Sequence, residues 1–269
     1  MEGLVTAYNS TTGVLTVNVD LLSTSAAAGA PPAIPNYLGG LTLSNDTTFA
    51  TTLDIGTGAA CSDDNSAMMA LTTAAFQKVL GVGWTAGSNN TGLDTGSPAA
   101  STWYHVYLIM RTDTGLVDVL FSVSPTAPTM PPGYTKKRRI GSIRTNASSQ
   151  IMAFTQLGDQ FLWGVDLAYD VYNGGAASAA PGGLLPAATV PVGLKVRVIF
   201  NIFNNSGQSL NFMSPDAQAV FGSMNLNNTN AGQFVIRTNT TGQVRVIAAG
   251  AVANGVFVGT VGWFDNRGK

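Results

Sequence analysis

The chain has 269 residues, 45% of them hydrophobic and only 10% charged, with a formal net charge of -1. That length holds one large or two ordinary domains with a substantial core, and the balanced charge excludes the surplus of Lys and Arg that non-specific nucleic-acid binding requires. Charge well below the roughly 25% usual in soluble domains fits a protein whose faces are largely covered by neighbours, the alternative being an ordinary β-protein with an uncharged polar surface.

Residues 1–21 read as a hairpin arm: Leu4–Tyr8 and Val14–Val19 are rich in Val and Thr and flank a polar loop closed by Gly13. A hairpin this small is marginal alone, so it is expected to dock on another subunit or on a different protein. Residues 22–37, with Pro31, Pro32 and Pro35, form a linker that proline keeps out of any sheet.

The segment 38–166 opens with two expected strands, Leu41–Leu43 and Phe49–Ile55. Between Asp64 and Leu80 the pattern predicts a short helix, capped by Asp64 or Ser66, with Met68, Leu71, Ala75, Phe76 and Val79 on its apolar face, although Thr72 and Thr73 disfavour it. Tyr104–Arg111 and Leu116–Val123 form the clearest hairpin, because Asp113-Thr114-Gly115 closes two apolar-rich runs. Beyond the Pro-rich loop Ser124–Pro132, strands are expected at Arg139–Thr145, Ile151–Leu157 and Gln160–Trp163.

In the C-terminal region, 167–269, the run Leu194–Ile202 places apolar residues at even positions and Lys195, Arg197 and Asn201 at odd ones, so one face is buried. Gln233–Arg237 and Gln243–Ala248 repeat that alternation about a polar turn, and Val256–Phe264 makes a last strand. Many short strands with regular turn signals imply an all-β chain: a β-sandwich, jelly-roll-like, with one short helix and an N-terminal β-hairpin arm. Whether 38–166 and 167–269 form one sandwich or two stays open, with a single one favoured.

An ordered set of motifs runs through the middle segment: Gly92-Leu93-Asp94-Thr95-Gly96, Trp103-Tyr104-His105-Val106, Leu120-Phe121-Ser122, Arg138-Arg139-Ile140-Gly141-Ser142-Ile143 and Gly158-Asp159-Gln160-Phe161-Leu162-Trp163. With it, residues 36 to 166 resemble a module recurrent in structural and tail-fibre proteins of tailed bacteriophages. The hairpin Gly3 to Val19 is similar to one found near such modules in phage tail proteins. The resemblance implies a non-catalytic, often oligomeric virion component but not one location on the particle; the favoured reading is a tail, fibre or baseplate-associated subunit acting in assembly and host attachment. Its partners would be copies of itself, as a homotrimer, other virion proteins and, as a further option, a host surface glycan. It also implies assembly in the bacterial host cytoplasm followed by residence in the virion. A capsid-decorating or head-fibre protein, a glycan-binding receptor module and a polysaccharide depolymerase are the alternatives.

The residues themselves offer little chemistry, and no catalytic, cofactor or metal-binding residue is assigned. Cys61 is the only cysteine, so an intrachain disulfide is impossible. His105, the sole histidine, lies in an apolar run and reads as a packed strand residue. Asp94-Thr95-Gly96 and Asp113-Thr114-Gly115 each match an aspartic protease triad, yet they lie close together and turns select the same residues. Glu2 is the only glutamate, so a glycan-cleaving pair would draw on Asp63, Asp64, Asp159, Asp166 and Asp170. Asp63-Asp64-Asn65 lacks the ligand ladder of a calcium loop, and capping explains it better. The cluster Lys136-Lys137-Arg138-Arg139 reads as an exposed edge strand guarded by charge, with an acidic partner chain or glycan as the minor option. Trp84, Trp103, Tyr104, Tyr134, Trp163, Tyr169 and Tyr172 supply rings that could stack on sugars, although strand aromatics are mostly core. No secretory signal is expected after Met1 and Glu2, and no apolar run approaches the roughly 18 residues of a membrane helix.

Overall fold

The computed structural model describes residues 32–175, 183–217, 225–248, 252 and 255–267, together with the strand backbones at 4–9 and 14–18. Residues 22–31 of the expected linker lie outside the described residues. Every regular element among the described residues is a strand, and there is no helix long and apolar enough to cross a membrane.

The strands Leu4–Asn9 and Val14–Asn18 pair antiparallel as the N-terminal pattern predicts, and this two-stranded sheet includes no other strand. At the centre of the fold Trp103–Arg111 pairs with Val117–Ser122 on one side and Tyr134–Arg144 on the other. Alternation along Trp103–Arg111 explains why it is buried on both faces. Tyr104, Val106, Leu108 and Met110 enter the main core, whereas Tyr107 and Ile109 join Leu120 and Tyr134 in a smaller one, closed by Trp84 and Met130.

Two small sheets flank this centre. One runs Leu38–Gly40, Gly58–Cys61, Met68–Leu71; the other runs Leu43–Asn45, Thr52–Ile55, Phe76–Val79, Asn90–Thr91. The C-terminal region adds a four-stranded sheet, Gly183–Leu184, Arg245–Ala248, Leu210–Met213, Asn225–Leu226. Its six-stranded sheet runs Phe154–Leu157, Gln160–Trp163, Val256–Phe264, Arg197–Asn204, Asn230–Arg237, with Tyr172–Gly175 also on Val256–Phe264.

That sheet crosses the boundary at residue 166. Phe161 and Trp263 are register partners, and their rings stack with centroids 5.0 Å apart and planes 4° from parallel. Gly262 permits the approach, since a Cβ there would lie 2.1 Å from the Phe161 carbonyl oxygen. A single core cluster consequently extends from Leu38 to Trp263. The result is an all-β, sandwich-type architecture. Jelly-roll connectivity is not drawn by these pairings, which distribute the strands among six sheets.

Several expectations are corrected. Residues 64–80 contain no helix: Met68–Leu71 and Phe76–Val79 are strands, in different sheets. The helical spacing of their apolar residues coexists with period-two burial, Met69 and Leu71 inward in one strand and Phe76 and Lys78 in the other. Pairing with Gly58–Cys61 and Thr52–Ile55 decides between the two patterns, and Ala75, at φ 53°, sits in a backbone region that a helix cannot contain. Asp64 caps a turn instead, accepting from the hydroxyl and backbone N–H of Ser66. Leu41–Leu43 is not one strand, because Leu41 turns the chain at φ 55°. Phe49 lies outside its expected strand, in a turn whose backbone N–H groups at Thr48 and Phe49 donate to Asp46.

The basic cluster is corrected as well. Tyr134–Arg144 lies at a sheet edge, yet Arg138 and Arg139 are only 1% and 7% exposed. Arg139 donates two bonds of 2.6 Å to the Asp265 carboxylate, and Arg138 donates to the Arg267 carbonyl. Lys136 and Lys137 pair with Asp64 and Asp63. Internal partners therefore use the charges that the sequence pattern assigns to the surface.

Candidate functional site

The carboxylates suggested by the sequence are all held by the fold. Asp94 accepts from the backbone of Thr95 and Thr129, whereas Asp113 is gripped by Arg111, which lowers its pKa to about 2. Each triad thus fixes a turn, with Gly96 and Gly115 at φ 76° and 70°. Asp159 binds Arg267, Asp166 accepts from the Ala168 N–H, and Asp170 accepts from the Thr260 backbone and hydroxyl and from the Thr189 N–H. His105 is fully buried, with Nδ1 2.9 Å from the Ser142 hydroxyl. Burial first, and the nearby Arg139 charge second, push its pKa down to about 3, so it is neutral at physiological pH. Cys61 is a free, buried thiol.

Of the aromatic candidates, Trp103, Tyr104 and Tyr134 are buried, Trp84 is half-buried with its indole N–H donated to the Val119 carbonyl, and Tyr172 packs on the core. Trp163 likewise packs on the core, and Tyr169 is the one exposed residue of the seven.

Both border a hollow of about 390 Å³, shared with Asp166, Asn201 and Thr260. A second hollow of about 410 Å³ lies against Tyr169, Asn201, Phe203 and Ala231. Tyr169 and Asn201 border both, so the two hollows are neighbours. Each volume is within the roughly 300–1,000 Å³ typical of ligand sites.

The geometry follows from the strands beneath. In Arg197–Asn204 the odd position Asn201 faces away from the core while Phe200 and Ile202 are buried. Its register partners are Gln233 on one side and Gly259 on the other, and Gln233 donates its amide N–H to the Asn201 amide oxygen at 3.2 Å. Gly259 lets the 166–170 loop approach, since a Cβ there would lie 3.2 Å from the Tyr169 nitrogen. Asp166 and Asp170 tie that loop down through the bonds given above.

Tyr169 is 43% exposed but not loosely placed. Ala168 and Tyr169 have φ of 37° and 50°, a left-handed conformation that costs a non-glycine residue about 1–3 kcal/mol and persists only where surrounding structure imposes it. The ring meets Phe257 edge-on, with centroids 5.2 Å apart and planes at 61°. Trp163 is fixed by its indole N–H, donated to the Thr189 carbonyl at 3.0 Å, and by contacts with Trp103 and Trp263. The arrangement therefore offers a rigid aromatic ridge, an amide pair and a carboxylate along an open groove.

Sequence reasoning singled out Trp163, Tyr169 and Asp166 but not Asn201, Phe203, Thr260 or Phe257. For Asn201 the signal is its odd position in the alternating run. Compared with protein-family models and with curated proteins, the chain matches none.

Proposed function

We propose that this chain is a non-catalytic structural subunit of a tailed-bacteriophage particle, a tail or fibre component whose work is assembly and host attachment. One observation carries the non-catalytic part: all twelve aspartates of the described residues accept hydrogen bonds from the chain itself. Their engagement in turns and ion pairs supports a structural role for the acidic side chains. The phage assignment rests on the ordered motifs of residues 36 to 166. The self-contained N-terminal hairpin and exposed apolar side chains such as Leu157, Phe49 and Val123 support a molecule that completes its burial against neighbours.

Light scattering on the purified full chain tests the assembly. A trimer should give three times the 27.8 kDa of one chain, and a stable monomer at micromolar concentration would overturn it. Antibody labelling of particles of the phage that encodes the chain tests the location. Label on the tail is expected, label on the head moves the proposal to a capsid-decorating role, and unlabelled particles refute it.

A further inference from the structure

We infer that the groove formed by the two neighbouring hollows at Tyr169 and Asn201 binds a neutral oligosaccharide. The inference deepens the attachment part of the reading above and rests on it for biological meaning, but its chemistry stands on the groove alone. A pyranose presents a C–H face that packs on an aromatic ring and a rim of hydroxyls that donate and accept. Tyr169 supplies the ring, locked by its left-handed backbone and by Phe257. Asn201 supplies the complementary polar group: with its oxygen occupied by Gln233, its amide N–H groups remain to donate to sugar oxygens. Asp166 holds the Ala168 N–H through Oδ1 and offers Oδ2 as an acceptor for a sugar hydroxyl.

Charge decides which saccharides fit. Among the described residues no Lys or Arg borders either hollow, and the one ionisable side chain there besides Tyr169 is Asp166. Uronic, sialic or sulfated sugars would bring a second negative charge beside that carboxylate with nothing to neutralise it, so the site selects uncharged units. Length follows from the layout. Two open, neighbouring hollows that share Tyr169 and Asn201 suit a chain of at least two sugars, not a single enclosed monosaccharide.

The test is binding of the full chain to an array of neutral and acidic bacterial oligosaccharides, followed by titration calorimetry with the best neutral one. Tyr169→Asn removes the ring while keeping a residue that tolerates the left-handed backbone, and Asn201→Ala removes the amide. Each should raise Kd about tenfold or more, with melting temperature and oligomeric mass unchanged. Should Tyr169→Asn fail to fold, Asn201→Ala and Gln233→Ala carry the test. Absence of binding by the wild-type chain, preference for acidic glycans, or affinity unchanged in the folded variants would each overturn the inference. None of these would alter the trimer mass or the particle label, so a failed groove and a failed assembly reading are distinguishable.

Discussion

Asp265→Ala is the sharpest test of how the two halves of the chain are joined. Asp265 is 1% exposed; both of its oxygens receive Arg139 at 2.6 Å, and Oδ1 also accepts the Arg267 N–H at 2.8 Å. Arg267 in turn binds Asp159 and donates to the Gly40 carbonyl. Residues 265–267 are therefore pinned to three separate segments of the middle region. Truncating the carboxylate leaves the Arg139 guanidinium buried without its partner, a loss of about 3–5 kcal/mol. For a chain of this size about 1 kcal/mol moves Tm by roughly 2–4 °C, so the melting temperature should fall by roughly 6–20 °C. Burial alone would raise the pKa of Asp265, but the Arg139 charge and hydrogen bonds outweigh it and the net direction is down. A depressed carboxylate contributes its stabilisation above its ordinary titration range and loses it only as pH falls through the lower folded value, so neutral pH shows the full effect. Guanidinium denaturation followed by tryptophan fluorescence would report it. The double variant Arg139→Met with Asp265→Leu should recover most of the loss, because apolar replacement removes the orphaned charge. A single variant within about 0.5 kcal/mol of wild type, the usual range for a surface substitution, would refute the clasp.

Lys78→Met should also destabilise by about 3–5 kcal/mol, because Lys78 is fully buried and donates to Asp118, Thr85 and Gly87; the Trp84 ring, 4.9 Å from its Nζ, provides the fluorescence readout. His105, neutral in the fold with a pKa of about 3 against 6.5 ordinarily, makes the unfolded chain bind the extra proton between those values. Stability should then drop by about 2 kcal/mol from pH 7 to pH 5, and His105→Asn should flatten that slope in chemical denaturation. Oligomeric mass and glycan affinity should hold as NaCl rises from about 0.05 to about 0.5 M, since neither contact draws on screened surface charge; dissociation in salt would contradict the neutral-contact reading.

The sequence conveyed the centre of the fold because its signals there are local. Trp103–Arg111 and Val117–Ser122 are apolar-rich runs around an Asp-x-Gly turn, and their pairing needs no distant information. The alternation in Leu194–Ile202 likewise placed Asn201 on the outer face correctly. What failed depended on remote partners. Arg139 is buried because Asp265, 126 residues away, neutralises it, and nothing near either residue announces the pair. Residues 68–79 satisfy helical and strand periodicity at once, and only strands contributed by 52–61 choose between them. Gln243–Ala248 looks like the hairpin partner of Gln233–Arg237, yet the two strands diverge into different sheets. The groove was half visible: Trp163 and Tyr169 were named among seven rings, but their convergence, and that of Phe203 and Phe257, exists only once Val256–Phe264 has docked beside Arg197–Asn204.

The use of charge connects these observations. All twelve Lys and Arg of the described residues, like the twelve aspartates, are engaged within the chain, by ion pair, hydrogen bond or ring contact. In most soluble proteins a surplus of exposed charge keeps molecules apart. Here the few charges are partnered within the chain, the exposed ones such as Lys195, Arg237, Asp64 and Asp113 in ion pairs, and the rest of the outer faces carries amides, hydroxyls and scattered apolar groups. Such faces neither repel a copy of themselves nor demand a charged partner. The same low charge therefore suits both proposed contacts: close packing between subunits, where like charges would be costly, and a neutral groove, where a fixed cation would select the wrong sugar.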